Sequence, residues 1–116
     1  MDDKLQRGAT AERDAARLLV EAGYEIVERN YRCKVGELDI VARDGDVLVF
    51  VEVRSRSDGD HGDAIEMIRV TKQRRVARVA RYYLAAAAPA FERCRFDIVA
   101  ITAGEAILLK DAFRLR

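Results

Sequence analysis

The sequence predicts an α/β fold in which a central mixed five-stranded sheet is flanked by helices, in the order αβββαββ. Three observations lead there. Two stretches, from about Gly8 to Ala22 and from Ala64 to Ala87, carry apolar residues at helical spacing. Runs of β-branched and aromatic residues bounded by turn residues flank the second of these. Between the helical stretches, Gly36 to Arg56 (GELDIVARDGDVLVFVEVRSR) reads as two strands joined at Asp44-Gly45, a dipeptide that readily takes the positive φ of a tight hairpin.

In chain order, the first helix is stopped by Gly23 and gathers Gly8, Ala11, Ala15, Ala16, Leu18, Leu19 and Ala22 in one sector. Glu12 is the helix's one acid inside that sector, and a carboxylate there needs a partner. Tyr24 to Arg32 reads as the first strand. The hairpin follows, and with a two-residue Asp44-Gly45 loop Arg43 faces Asp46, Glu37 faces Glu52 and Asp39 faces Phe50. Asp39 and Glu52 are then diagonal neighbours on one face, with Cβ atoms about 7 to 8 Å apart. In the third strand Leu48, Phe50, Glu52 and Arg54 share one face and Val47, Val49, Val51 and Val53 the other, so this strand belongs inside the sheet with cover on both sides.

Ser57 to Asp63 (SDGDHGD) reads as a polar loop. In the second helix Ile65, Ile68, Lys72, Val76, Val79 and Tyr83 form the inward stripe, which aims Lys72 at the sheet. Arg74, Arg78 and Arg81 point outward, with Arg75 on their flank. Arg95 to Thr102 is the fourth strand and Ala106 to Leu109, followed by Lys110 and Asp111, the fifth. A three-stranded meander and a helical crossover to a later strand is the economical topology, with the crossover right-handed.

The 116 residues suit one domain, 1–116, and bury enough surface for one core. Half are hydrophobic and 35% are charged, which excludes a disordered chain. No apolar run is long enough to span a bilayer and no signal-peptide pattern opens the chain, so a cytoplasmic location is expected. Cys33 and Cys94 lack the companions a zinc site needs and read as reduced thiols. The net charge of +1 says little, but from Arg69 to Phe91 six cations stand without one acid.

Asp39 and Glu52 offer the hard oxygen ligands that Mg²⁺ takes, normally one or two carboxylates with waters and phosphate. Bare, two such charges about 4 Å apart repel by roughly 1 to 4 kcal/mol. A metal or a lysine relieves that, and a bound metal acidifies water and neutralises charge on a phosphodiester. Each pair also has a structural reading, Glu52 with Arg54 or Asp39 with Lys72 as ion pairs at a sheet end. Three inward acids and an inward lysine together favour a metal or phosphate site. Glu37 reads as a solvated strand-end charge or a further ligand, Asp97 as structural and His61 as a surface residue. The arginine stripe is either a solvated face or a track for nucleic-acid backbone.

These motifs resemble a known family. Asp39, with Glu52-Val53-Arg54 thirteen residues on, preceded by the helical Glu12 in RGATAE and followed by Lys72, is similar to the PD-(D/E)xK nuclease pattern. With Asn30-Tyr31-Arg32, Arg95-Phe96-Asp97 and the terminal KDAF run, the chain resembles the YraN-like family of uncharacterised bacterial proteins, related to archaeal Holliday-junction resolvases. The resemblance covers almost the whole chain and implies a restriction-endonuclease-like fold. It assigns Asp39 and Glu52 to binding Mg²⁺ or Mn²⁺ and Glu12 to a supporting acidic role. The pattern's lysine falls at Arg54, which cannot be deprotonated but can bind phosphate. Lys72 could supply the ammonium group instead.

Two readings follow. The first is a metal-dependent endonuclease acting on structured or branched DNA, with Glu12, Asp39, Glu52, Arg54 and Lys72 at the site and Arg74, Arg78 and Arg81 on phosphates. The second is a nucleic-acid-binding protein on a nuclease scaffold, with catalysis weak or lost through Arg54. A homodimer is implied by the likeness to resolvases. A third reading, a small interaction domain whose charges are structural pairs, predicts no binding to nucleic acid.

Overall fold

The computed structural model describes residues 3–56, 69–102 and 105–114. The elements are α1 (Asp3–Glu21), β1 (Glu25–Cys33), β2 (Gly36–Asp44), β3 (Val47–Arg56), α2 (Val70–Ala87), β4 (Arg93–Thr102) and β5 (Glu105–Phe113). Among the described residues the order is αβββαββ, an α/β fold with one five-stranded mixed sheet and two helices, as the sequence predicts. The strands lie side by side in chain order. β1, β2 and β3 form the antiparallel meander, β4 returns parallel to β3 after α2, and β5 runs antiparallel to β4.

α1 ends in a Schellman motif, in which Gly23 at φ 93° donates to the Val20 carbonyl and Tyr24 to that of Leu19. At its other end the helix reaches back to Asp3, a turn earlier than the apolar spacing marks. α2 begins later than expected. Arg69 is extended, with φ −69° and ψ 163°, so the helix read from Ala64 without interruption is broken there. The β-branched Val70 and Thr71 next to it are weak helix formers, whereas apolar spacing runs past a break unseen. The 57–63 stretch with His61, the Ile65 and Ile68 positions and residues 103–104 lie outside the described residues.

Two helices cover opposite faces of the sheet. Val76, Val79 and Tyr83 of α2 pack with Leu38, Val41, Leu48 and Phe50 on one side. Ala11, Ala15 and Leu19 of α1 pack with Ile40, Ala42, Val47, Val49 and Val51 on the other. β3 is therefore covered on both faces, and Lys72 and Glu12 project from helices on opposite sides of the sheet. α2 lies so close over the start of β2 that a Cβ on Gly36 would stand 2.9 Å from Val79 Cγ2.

The hairpin register differs from the expected one. Asp44 pairs with Val47 and Ile40 with Val51, so the loop is Gly45-Asp46 and every pair is shifted by two residues. Gly45 at φ 63° occupies the first loop position, where a type II′ turn calls for glycine. An even shift preserves the faces. It brings Asp39 level with Glu52 instead of diagonal to it.

Candidate functional site

β2 and β3 part company at Asp39. Their pairing stops at Ile40 and Val51, and beyond it the Val53 amide donates to Asp39 Oδ2 at 2.9 Å. A carboxylate thus replaces a strand carbonyl as acceptor. The alternation of β2 also breaks here, because Leu38 packs on the α2 side and Ile40, two residues on, on the α1 side. Asp39 sits in that seam. Glu52 lies beside it on β3, only 4% exposed, with its carboxyl within hydrogen-bonding reach of Asp39. Burial first, and then the Asp39 charge, push the Glu52 carboxyl up to about 7, while Lys72 and Arg54 pull it down.

Glu12 approaches Asp39 from α1. Burial and the Asp39 charge hold its carboxyl above the usual range, against Arg29 and a hydrogen bond from Asn30. Arg29 Nε is 3.7 Å from Glu12 Oε1, an oxygen that is buried and has no hydrogen-bond partner among the described residues. Asn30 is a left-handed residue (φ 55°) in the middle of β1. Its neighbours pair as Arg29 with Ile40 and Tyr31 with Leu38, which sets Asn30 across from Asp39. Sequence reasoning passed over Arg29 altogether and met Asn30 only within a motif. The available signal was that asparagine tolerates positive φ far better than most residues.

The inward stripe of α2 carries Lys72 toward Glu52, whose carboxyl its charge stabilises. Arg54 is two residues along β3 on the same face, with Nη2 3.8 Å from Glu52 Oε2 and a buried Nε that lacks a partner among the described residues. The site therefore joins Asp39, Glu52, Arg54 and Lys72, with Glu12 beside Asp39 from the α1 side and Arg29 and Asn30 on Glu12. Among the described residues no three His, Cys, Asp or Glu side chains gather closely enough to hold a metal. Two adjacent carboxylates, one of them destabilised as an anion by the other, still fit a hard cation such as Mg²⁺, which completes its shell with water and phosphate.

Arg74, Arg78 and Arg81 are exposed on α2 and pair with no acid among the described residues. Glu37 is exposed and 3.3 Å from Arg32. Cys33 and Cys94 are free thiols. Asp97, in register with Val51 but on the α1 face of the sheet, belongs to a second polar centre. Fully buried, it accepts from Tyr24 Oη at 2.7 Å, Arg95 Nε at 2.8 Å and the Asp111 amide at 2.9 Å. Arg95 continues to Asp44 at 2.9 Å, and Lys110 stands 3.6 Å from the same carboxylate. That satisfied network anchors the β5 bulge where Asp111 takes φ 53°.

Residues 11–101 match the uncharacterised protein family UPF0102. The chain belongs to that family. A UPF0102 protein of Lachnoclostridium phytofermentans is 46% identical over 112 residues, covering 96% of this chain and 95% of the relative. One from Moorella thermoacetica is 48% identical over 83% of this chain and 80% of its own length, and one from Syntrophus aciditrophicus is 44% identical over 99% and 94%. The UPF0102 match takes in Glu12, Asp39, Glu52, Arg54 and Lys72. No helix among the described residues is long and apolar enough to cross a membrane.

Proposed function

We propose that this protein is a Mg²⁺- or Mn²⁺-dependent endonuclease of the PD-(D/E)xK superfamily, with a restriction-endonuclease-like fold, acting on structured or branched DNA. The observation that carries the reading is the meeting of Asp39 and the buried Glu52 where β2 leaves β3, with Lys72 directed at Glu52 from α2. Asp39 and Glu52 would hold the cation. When bound, it supplies an acidified water and neutralises charge on the scissile phosphate. Lys72 is placed to orient the nucleophile or to stabilise developing negative charge. Arg54, permanently cationic, holds phosphate and does not serve as a base. Glu12 adds negative charge beside Asp39, and the exposed Arg74, Arg78 and Arg81 take flanking phosphates. A junction presents paired strands, so the reading carries with it a homodimer.

A second reading, a nucleic-acid-binding protein without catalysis, is favoured by one observation: the residue at the motif's lysine position is Arg54, and it is directed at Glu52. The two separate in one experiment. Wild type and Glu52→Gln are incubated with labelled junction, flap, duplex and single-stranded DNA in Mg²⁺, Mn²⁺ or EDTA. The nuclease reading expects cleavage by wild type with metal alone. Cleavage that survives EDTA or Glu52→Gln marks a contaminant and sinks it, and salt-sensitive binding without cleavage selects the second reading.

A further inference from the structure

The outward face of α2 carries more than charge. Tyr82 is 38% exposed, while the next residue, Tyr83, is buried. Helical spacing sets it one turn beyond Arg78 and two turns beyond Arg75, with Arg81 adjacent, and all three arginines are exposed. On the sheet side stands Tyr31 of β1, edge-on to Tyr83 at 5.1 Å. Its phenol is held above the ordinary value by burial first and then by Cys33 and Tyr82. Glu28 also bears on Tyr31 and Tyr83. The surface thus has two sides, cations toward the helix exterior and rings with an acid toward β1.

We infer that Tyr82, flanked by Arg75 and Arg78, is a stacking platform for an unpaired base, so that the nucleic acid this protein prefers carries a single-stranded segment. This rests on the nucleic-acid reading above. The polarity of the patch fixes how a strand lies on it. Phosphates face the arginines, away from the repulsion of Glu28, and the base turns toward the tyrosines. A duplex hides its base faces in its own stack and offers only backbone, whereas an exposed ring rewards a strand whose bases are free. Tyr82 is ten residues from Lys72, about 15 Å along the helix, or roughly four nucleotide steps at duplex spacing. The platform therefore meets a strand a few nucleotides from the Asp39 and Glu52 carboxylates.

The test measures binding of labelled oligodeoxythymidylate and of a duplex of equal length by fluorescence anisotropy across a salt series, for wild type, Tyr82→Phe, Tyr82→Ala and Arg78→Ala, each first shown to melt like wild type. Tyr82→Ala is expected to weaken single-strand binding roughly five- to a hundredfold, to leave duplex binding within about twofold and to keep the salt slope. Tyr82→Phe retains wild-type binding. Arg78→Ala weakens both ligands and shallows both slopes by about 0.7 to 0.9. An unchanged or equally weakened pair of affinities in Tyr82→Ala, or a Tyr82→Phe that behaves like Tyr82→Ala, overturns the platform and leaves the nuclease reading standing. Failure of wild type to bind either ligand overturns both.

Discussion

Asp39 and Glu52 stand together where the ladder between β2 and β3 ends, one accepting the Val53 amide at 2.9 Å and the other sealed beneath α2. The arrangement costs stability when both are ionised, because a buried carboxyl raised to about 7 holds a proton in the folded chain that the unfolded chain has already released. Between the ordinary glutamate value and about 7 the unfolded state binds fewer protons, so stability falls as pH rises through that window. Above it, Glu52 costs an amount on the order of 3 kcal/mol at most. Glu52→Gln removes the titration. In EDTA its melting temperature at pH 8 should exceed that of wild type by several degrees, and the gap should close toward pH 5. Mg²⁺ should then stabilise wild type and leave Glu52→Gln unmoved. Equal stability of the two proteins at both pH values would show that Glu52 is not strained.

Lys72 acts on Glu52 in the opposite direction, favouring its ionised form. Replacing it with methionine keeps much of the packing and removes the charge. The Glu52 carboxyl should then titrate at still higher pH, which carboxyl-selective NMR reads directly, and metal binding, which requires the carboxylate, should shift upward in pH with it. An unchanged titration would leave Lys72 without a part in the site.

Asn30 separates backbone from side chain. Its left-handed conformation costs a β-branched residue on the order of 1 to 3 kcal/mol, while glycine adopts it freely. Asn30→Val should be clearly destabilised in urea. Asn30→Gly should lose little stability but release the Glu12 carboxylate from its amide partner, and so weaken Mn²⁺ binding at the Asp39 end. If Asn30→Gly binds metal like wild type, the amide does not position Glu12.

Much of this was legible because it follows from periodicity. The alternation along β3 and the 3.6-residue stripe of α2 place Glu52 and Lys72 without reference to each other, and the sheet order follows from short connections. The register was not legible in the same way. Asp44-Gly45 and Gly45-Asp46 are both acceptable turn pairs, and only their match to the strand twist chooses between them. The error was harmless to the faces because the shift is even, yet it turned a diagonal pair into a direct one. Glu12 was found by its anomalous place on an apolar sector. Its path to Asp39 from the opposite side of the sheet depends on the broken alternation at residues 38 to 40, a departure from the pattern that prediction relies on.

Ala88 closes α2 in the left-handed region, at φ 46° and ψ 49°, with its amide bonded to the Leu84 carbonyl. Alanine pays about 1 kcal/mol there that glycine does not. Ala88→Gly should raise the urea midpoint by a corresponding amount without changing the m-value. A destabilised Ala88→Gly would mean that unfolded-state entropy outweighs the relief.

Asp97 offers the sharpest contrast with the Asp39 and Glu52 pair. Both centres are buried and acidic, but every oxygen of Asp97 is occupied, by Tyr24, Arg95 and the Asp111 amide. A carboxylate so satisfied belongs to the fold. Removing it leaves the half-buried Arg95 with Asp44 and the Tyr24 hydroxyl and the Asp111 amide without its acceptor, a loss of about 3 to 5 kcal/mol by comparison with other broken buried pairs. Asp97→Ala should therefore melt far below wild type and lose the ordered end of β5, visible as rapid amide exchange around Asp111. Metal should stabilise wild type and whatever Asp97→Ala remains folded to a similar extent, since Asp97 faces the α1 side of the sheet and Glu52 the α2 side. Were Asp97→Ala to fold normally and lose metal binding, Asp97 and not Glu52 would be the ligand.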